Sequence, residues 1–220
     1  MKLITTENSK TTKGESLGIL TGILYLAPAD ESGWEVCPRR SPGCTNSCLF
    51  TAGRGRFYSV REARIKKTKL FFEKRTDFIV QLILDINSLS KKARKNGKTP
   101  AIRLNGTSDI EWTRFGVMEL FPNVQFYDYT KVLGRKVAHI PNYHLTFSAA
   151  DGNDADVAKA IAQGMNVAVV FDKLPAEYMG RPVNDADEDD LRFLDPKVGI
   201  IGLKAKGRAK KDNTGFVRRV

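Results

Sequence analysis

Three cysteines, Cys37, Cys44 and Cys48, lie within twelve residues and are the only thiols in the chain, separated by six residues and then by three. Thiolates are metal ligands, and Pro38, Pro42 and Gly43 bend the intervening backbone so that the three sulfurs can converge. An odd number cannot pair off, and no other cysteine exists to complete a second bridge, so a disulfide framework is not expected. Three readings remain: a 4Fe-4S cluster on three cysteines, a zinc ion on three cysteines and a histidine, or buried, reduced thiols with no ligand. A structural zinc site needs a pair of ligands two to four residues apart, which Cys44 and Cys48 provide. It also needs a fourth side chain, for which only His139 and His144 exist, both far along the chain. A cluster held by three thiolates instead leaves one iron without a protein ligand, open to a small molecule.

A second set of chemistry-bearing residues follows short apolar runs. Asn105, Thr107, Ser108 and Asp109 follow Ala101 to Leu104; Asp128, Tyr129 and Lys131 follow Val124 to Tyr127; Ser148 and Asp151 follow His144 to Phe147. Asp172 and Lys173 follow Val167 to Phe171, and Lys204 and Lys206 follow Gly199 to Leu203. With the apolar stretch Leu17 to Pro28, these runs make six strands, and helical segments separate them, the pattern of a parallel α/β sheet. Ligands in such sheets bind beyond the carboxyl ends of the strands. The expected cofactor-binding set is therefore Asn105, Thr107, Ser108, Asp109, Asp128 and Lys204, beside metal ligands Cys37, Cys44 and Cys48. Any one of these Asp, Asn and Ser residues can equally serve as a helix cap. The set is the signal, since all would leave one rim. On this reading the cysteine loop and the Asn105 to Asp109 turn share a face.

The elements that must hold this rim are legible in outline. Six βα units suit a partial (βα)6 TIM-like barrel, with a doubly wound open sheet as the other architecture. Helices are expected over Arg61 to Arg75 and over Asp77 to Asn96, the latter with Ile79, Ile83, Ile86 and Leu82, Leu89, Ala93 at helical spacing, Thr76 as N-cap and Gly97 as stop. Shorter ones are expected over Glu111 to Leu120, Thr130 to Val137 and Asp154 to Gln163. The domain plan is a polar N-terminal tail (1–16), one α/β domain (17–204) carrying the cysteine loop (37–48), and a basic C-terminal tail (205–220). Lys2, Lys10 and Lys13 before the first apolar run suggest a secretory leader. Glu7 and Glu15 dilute that basic region, and Thr21 and Tyr25 interrupt the apolar one, which favours a buried first strand. No stretch reaches the roughly eighteen apolar residues of a membrane span.

Four runs carry a family resemblance: Cys37-Pro-Arg-Arg-Ser-Pro-Gly-Cys44-Thr-Asn-Ser-Cys48, Leu104-Asn-Gly-Thr-Ser-Asp-Ile-Glu-Trp112, Gln125-Phe-Tyr-Asp-Tyr-Thr-Lys131 and Leu191-Arg-Phe-Leu-Asp-Pro196. Together they resemble the bacteriophage gene product 88 domain family, over roughly Cys37 to Lys211. More distantly, the chain resembles radical S-adenosylmethionine proteins, whose three cluster cysteines sit in a loop after the first strand of a (βα) barrel. Those proteins space their cysteines three and two apart; here the gaps are six and three. The resemblance implies a phage-encoded iron-sulfur protein of the reducing host cytoplasm, with S-adenosylmethionine as a candidate ligand of the open iron. It leaves open whether the protein is an enzyme.

Composition sets the remaining bounds. The 220 residues are 41% hydrophobic and 28% charged, which fits one folded domain and not wholesale disorder. Thirty-six Lys and Arg against twenty-five Asp and Glu give +11, favouring an anionic ligand or nucleic acid as partner. The alternative to an iron-sulfur protein is therefore a non-enzymatic cluster or zinc protein that binds nucleic acid or a protein through its basic surface. Gly53-Arg54-Gly55-Arg56 is a weak phosphate-loop signal that turn formation explains equally well. The acidic run Asp185 to Asp190 reads as a solvated turn, and Lys204 to Val220 as a phosphate-contacting tail or a frayed terminus.

Overall fold

A computed structural model describes residues 1–6 and 13–220. Residues 7–12, including Glu7 and Lys10 of the polar N-terminal stretch, lie outside the described residues. Among the described residues ten strands form one mixed, mostly parallel sheet that does not close on itself. In chain order they are β1 (Ile4–Thr5), β2 (Ile19–Leu24), β3 (Thr99–Arg103), β4 (Gln125–Thr130), β5 (Tyr143–Ser148), β6 (Val167–Phe171), β7 (Glu177–Tyr178), β8 (Arg181–Asp185), β9 (Ile200–Lys204) and β10 (Val217–Arg218). The spatial order is β1-β2-β3-β4-β5-β6-β9-β8-β7. From β2 to β9 neighbouring strands run parallel and follow sequence order, without the reversal of a doubly wound sheet. Antiparallel partners stand at both edges: β1 on β2, and β7 on β8 through the Met179-Gly180 turn, whose two residues both have positive φ.

Side-chain alternation divides the sheet into two faces. One face packs under the helices α2 (Tyr58–Glu73) and α3 (Arg75–Lys95). Leu20 and Leu24 of β2, Ile102 of β3 and Phe126 of β4 meet Phe78, Leu82, Ile86, Leu89 and Ala93 of α3 in the main core. Phe71, Phe78, Trp112 and Phe115 interlock there, with ring centroids 5.2 to 6.3 Å apart. The other face carries Ala101, Tyr127 and Ala168, covered by Ala186 and Leu191 of the long connection from β8 to β9. Asp190 in that connection is buried and ion-paired with Arg103 at 2.9 Å, and it accepts a hydrogen bond from the Tyr127 hydroxyl at 3.5 Å.

Several sequence expectations shift for local reasons. The helix α3 starts two residues earlier than its pattern, with Lys74 in the cap position and no side-chain cap, so Thr76 is not the N-cap. The expected helix over Glu111 to Leu120 is one 3-10 turn, Trp112–Phe115, stopped by Gly116 at φ 62°. No helix forms over Thr130 to Val137. There β4 runs on to Thr130, the Lys131 amide bonds the Asp109 carboxylate at 2.8 Å, and Gly134 turns the chain at φ 85°. The helix α4 (Asp154–Ala162; α1, Pro42–Asn46, lies in the cysteine loop) forms as expected, as does the buried first strand, in which all six residues are covered.

The ends of the chain are built into the sheet. Leu3 and Ile4 are buried, with their amides on Asp85. Val217 and Arg218 pair parallel with Val170 and Phe171, along the edge that β6 presents beyond its contact with β5. The acidic run is not a solvated turn, because Asp185 and Asp187 pair with Lys204 and Lys206, Asp189 with Arg192, and Asp190 with Arg103. No helix among the described residues is long and apolar enough to cross a membrane.

Candidate functional site

Because β2 to β9 run parallel, their carboxyl ends leave on one rim, and a cavity of about 1,380 Å³ opens there. Cys37, Cys44 and Cys48 line it, together with Asn105, Thr107, Ser108, Asp109 and Lys204. The cysteine loop and the 105–109 turn touch directly. Cys37 Sγ lies 3.8 Å from the Thr107 carbonyl, the Asp109 amide bonds the Val36 carbonyl at 2.8 Å, and Thr107 Oγ1 donates to the Leu26 carbonyl at 2.5 Å.

The loop is fixed at each cysteine. The Cys37 amide donates to Glu35 at 2.6 Å, and Arg40 bridges Glu35 and Asp30. Cys44 sits in α1, which has Pro42 at its first turn and Ser41 as N-cap, accepting from the Cys44 amide at 3.1 Å. Asp151, at the end of β5, accepts hydrogen bonds from the Ser41 hydroxyl and, at 3.0 Å, from the Gly43 amide. Gly43 is packed so tightly that a Cβ would stand 2.0 Å from Thr214 Oγ1 and 2.6 Å from Asp151 Oδ1. Cys48 leads into the 3-10 turns Leu49–Thr51 and Gly53–Arg56. In the second of these, Gly55 lies against the Phe50 backbone, so its role is close packing.

The polar side chains of the 105–109 turn are engaged within it. Asn105 Oδ1 accepts from Ser108, the Ile110 amide and Trp112 Nε1 at 2.9 to 3.0 Å, while its amide group donates to the Ile110 carbonyl. Asp109 binds the Lys131 amide and stands 2.9 Å from Arg135, whose fork also bonds the Asp109 and Ile110 carbonyls. These residues shape the cavity wall more than they offer free donors to it. Asp128 does not line the cavity, contrary to its expected place in the binding set. It is fully buried behind the turn, accepting from the Asn105 amide at 2.6 Å and the Tyr143 hydroxyl at 3.0 Å, and burial pushes its carboxyl up to about 7. Lys204 does line the cavity, with its ammonium 2.9 Å from Asp185.

Two cations stand closer to the sulfurs. Burial pulls the Lys131 ammonium down, but the Cys44 sulfur, Asp109 and Cys37 outweigh it and hold the group charged, within hydrogen-bonding reach of Cys44. Arg64 of α2 lies over the Tyr25 ring at 4.8 Å and close to Cys48, and its Nη1 is buried with no hydrogen-bond partner among the described residues. Burial pushes the Cys37 thiol up to about 12, helped by Cys48 and Cys44, and raises Cys48 as well. In the sequence Lys131 is one of several polar residues after a strand, and Arg64 is one of a helix full of cations. Nothing in their spacing singles them out. His139 is exposed, and His144 lies near Arg192 with its imidazole 3.4 Å from Thr146; neither lines the cavity. Among the described residues, no three His, Cys, Asp or Glu side chains gather closely enough to hold one metal ion.

The fold and site define a class: an open, sequentially ordered parallel α/β sheet with a cysteine-bearing first loop closing over a rim cavity. Within that class the chain belongs to the Gene product 88 family, whose model matches residues 2–220. No curated protein and no solved structure matches it.

Proposed function

We propose that this protein binds a 4Fe-4S cluster through Cys37, Cys44 and Cys48, on an open parallel sheet that resembles part of a radical-SAM-like barrel, working in a reducing compartment such as the host cytoplasm. One observation carries the reading: all three thiols of the chain line a single cavity at the carboxyl ends of sequentially ordered parallel strands. A single zinc ion would draw its thiolates to within about 4 Å of one another, from a zinc–sulfur bond of about 2.3 Å and a tetrahedral angle. No such gathering exists among the described residues, and no histidine reaches the cavity as a fourth ligand. A 4Fe-4S cube takes one thiolate per iron, and the three cysteines of the cavity would leave its fourth iron open. Lys131 and Arg64 supply positive charge beside the thiolates, and burial strengthens that attraction.

The bound cluster would supply one-electron chemistry and one iron free of protein, where S-adenosylmethionine or another small chelating ligand could attach. The chain's part is to orient that ligand against the 105–109 wall and to keep water out. The test is anaerobic purification followed by absorption spectroscopy with iron and sulfide analysis. We expect a brown protein with about four irons and four sulfides per chain, bleached by Cys→Ala at any of the three positions. Stoichiometric zinc without iron would refute the reading. Release of 5′-deoxyadenosine on reduction with S-adenosylmethionine tests the ligand separately.

A further inference from the structure

The excess positive charge of the chain is concentrated in space. Residues 49–75 and 207–211 carry twelve Lys and Arg against two Glu, so these 32 residues hold +10 of the +11 net charge, while the other 188 balance twenty-four cations against twenty-three acids. The two segments are remote in sequence and packed together in the fold. The 3-10 turn Gly207–Lys211 rests on the turn Leu49–Thr51, and a Cβ on Gly207 would stand 3.0 Å from that of Ala52. Along this ridge Arg54, Arg56, Arg208, Lys210 and Lys211 are exposed, and none has an ion-pair partner among the described residues. The neighbouring cations Lys204, Lys206, Arg218 and Arg219 are paired with Asp185, Asp187, Asp154 and Asp172.

Large apolar side chains stand among the unpaired cations. Tyr58 is 77% exposed, Phe57 55% and Leu49 46%. Two adjacent aromatic rings left in water, flanked by guanidinium and ammonium groups, match the requirements of a flexible polyanion with planar faces: cations for its phosphates and rings for its bases. A duplex keeps its base faces stacked inside and offers them no partner. A lipid surface or an acidic protein would use the charge but has no need of stacking rings. The ridge also borders the cavity, since Leu49 and Arg54 line its wall with Cys48.

We infer that this ridge binds single-stranded nucleic acid across the mouth of the rim cavity. The inference stands independently of the cluster, because none of its residues is a cysteine. The test is fluorescence anisotropy of the full chain with labelled single strands of about fifteen nucleotides, near the upper site size of one binding platform, against the matching duplex and against vesicles of equal phosphatidylserine and phosphatidylcholine. Single strands should bind best. Tyr58→Ala and Phe57→Ala should each weaken that binding about tenfold, as loss of one stacked base does. Arg54→Ala and Lys210→Ala should each lower the salt slope by about 0.7. Lys91→Ala and Lys95→Ala, at the end of α3 where it leads into the amino-terminal end of β3, should change nothing. The aromatic variants remove exposed rings, so unchanged thermal melting would show that the fold is retained, and Tyr58→Phe should keep affinity. Repeating the titration with Cys44→Ala separates this surface from the cluster. Equal affinity for duplex, stronger binding to the vesicles, or single-strand binding indifferent to Tyr58 and Phe57 would overturn the inference.

Discussion

At the scale of single residues, Asp128 shows how a site can depend on a group that never reaches it. Among the described residues its carboxylate has no cation within bonding distance and is held by one amide and one hydroxyl, so burial raises its folded pKa to about 7 from an ordinary 3.8. A raised acid binds its proton more tightly in the folded state. Its favourable contribution is therefore complete below pH about 4 and declines as pH rises to about 7, by at most about 4 kcal/mol. Asp128→Asn keeps an acceptor for the Asn105 amide and cannot ionise. Denaturant titrations from pH 4 to 8 should show the wild type losing stability relative to Asp128→Asn across that window; parallel curves would contradict the assignment. The sequence pointed to Asp128 as a rim residue, since it directly follows the apolar run Val124 to Tyr127. The strand continues to Thr130, and alternation turns Asp128 away from the cavity into the layer behind it. Asn105 was legible as important, but its four hydrogen bonds all serve the turn, which only the folded path of residues 108–112 reveals.

Among the elements, the cysteine loop is the most exposed to a small change. Gly43→Ala would push a methyl into Thr214, Asp151 and Phe216, at 2.0, 2.6 and 2.8 Å. Overpacking of this kind costs about 1–3 kcal/mol. Thermal denaturation should show the loss, and adding Thr214→Ala, which removes the nearest atom, should restore part of it; no recovery in the double variant would place the strain elsewhere. The six expected strands were readable because each is a short apolar run, and Asp154–Ala162 because nothing interrupts it. The two expected helices beside the site failed for reasons outside their own periodicity. Gly116 and Gly134 turn the chain, and Lys131 and Arg135 are captured by the 105–109 turn. The hairpin β7–β8 carries no alternating apolar signal, being largely polar and partly exposed.

For the whole molecule, the C-terminal segment is a structural member and not an appendage. Asp212 accepts from the Val217 amide at 3.0 Å and from Thr214 at 2.8 Å, β10 pairs with β6, and Arg219 bonds the Asp212 carbonyl. Removing residues 212–220 should lower the melting temperature and open the 37–48 loop to limited proteolysis; an unchanged melting curve and an intact loop would show that the segment merely rests there. Its basic composition was plain in the sequence, whereas its docking onto the cysteine loop is a long-range contact that no local pattern encodes. That contact also orders events in time. During synthesis at about 5–20 residues per second, Cys44 is made roughly 10–30 s before Thr214 and Phe216 exist to seat Gly43. The nascent chain therefore carries its three thiols in an unfinished loop for most of its translation, and the seat of Gly43 is completed only when residues 212–218 have been made.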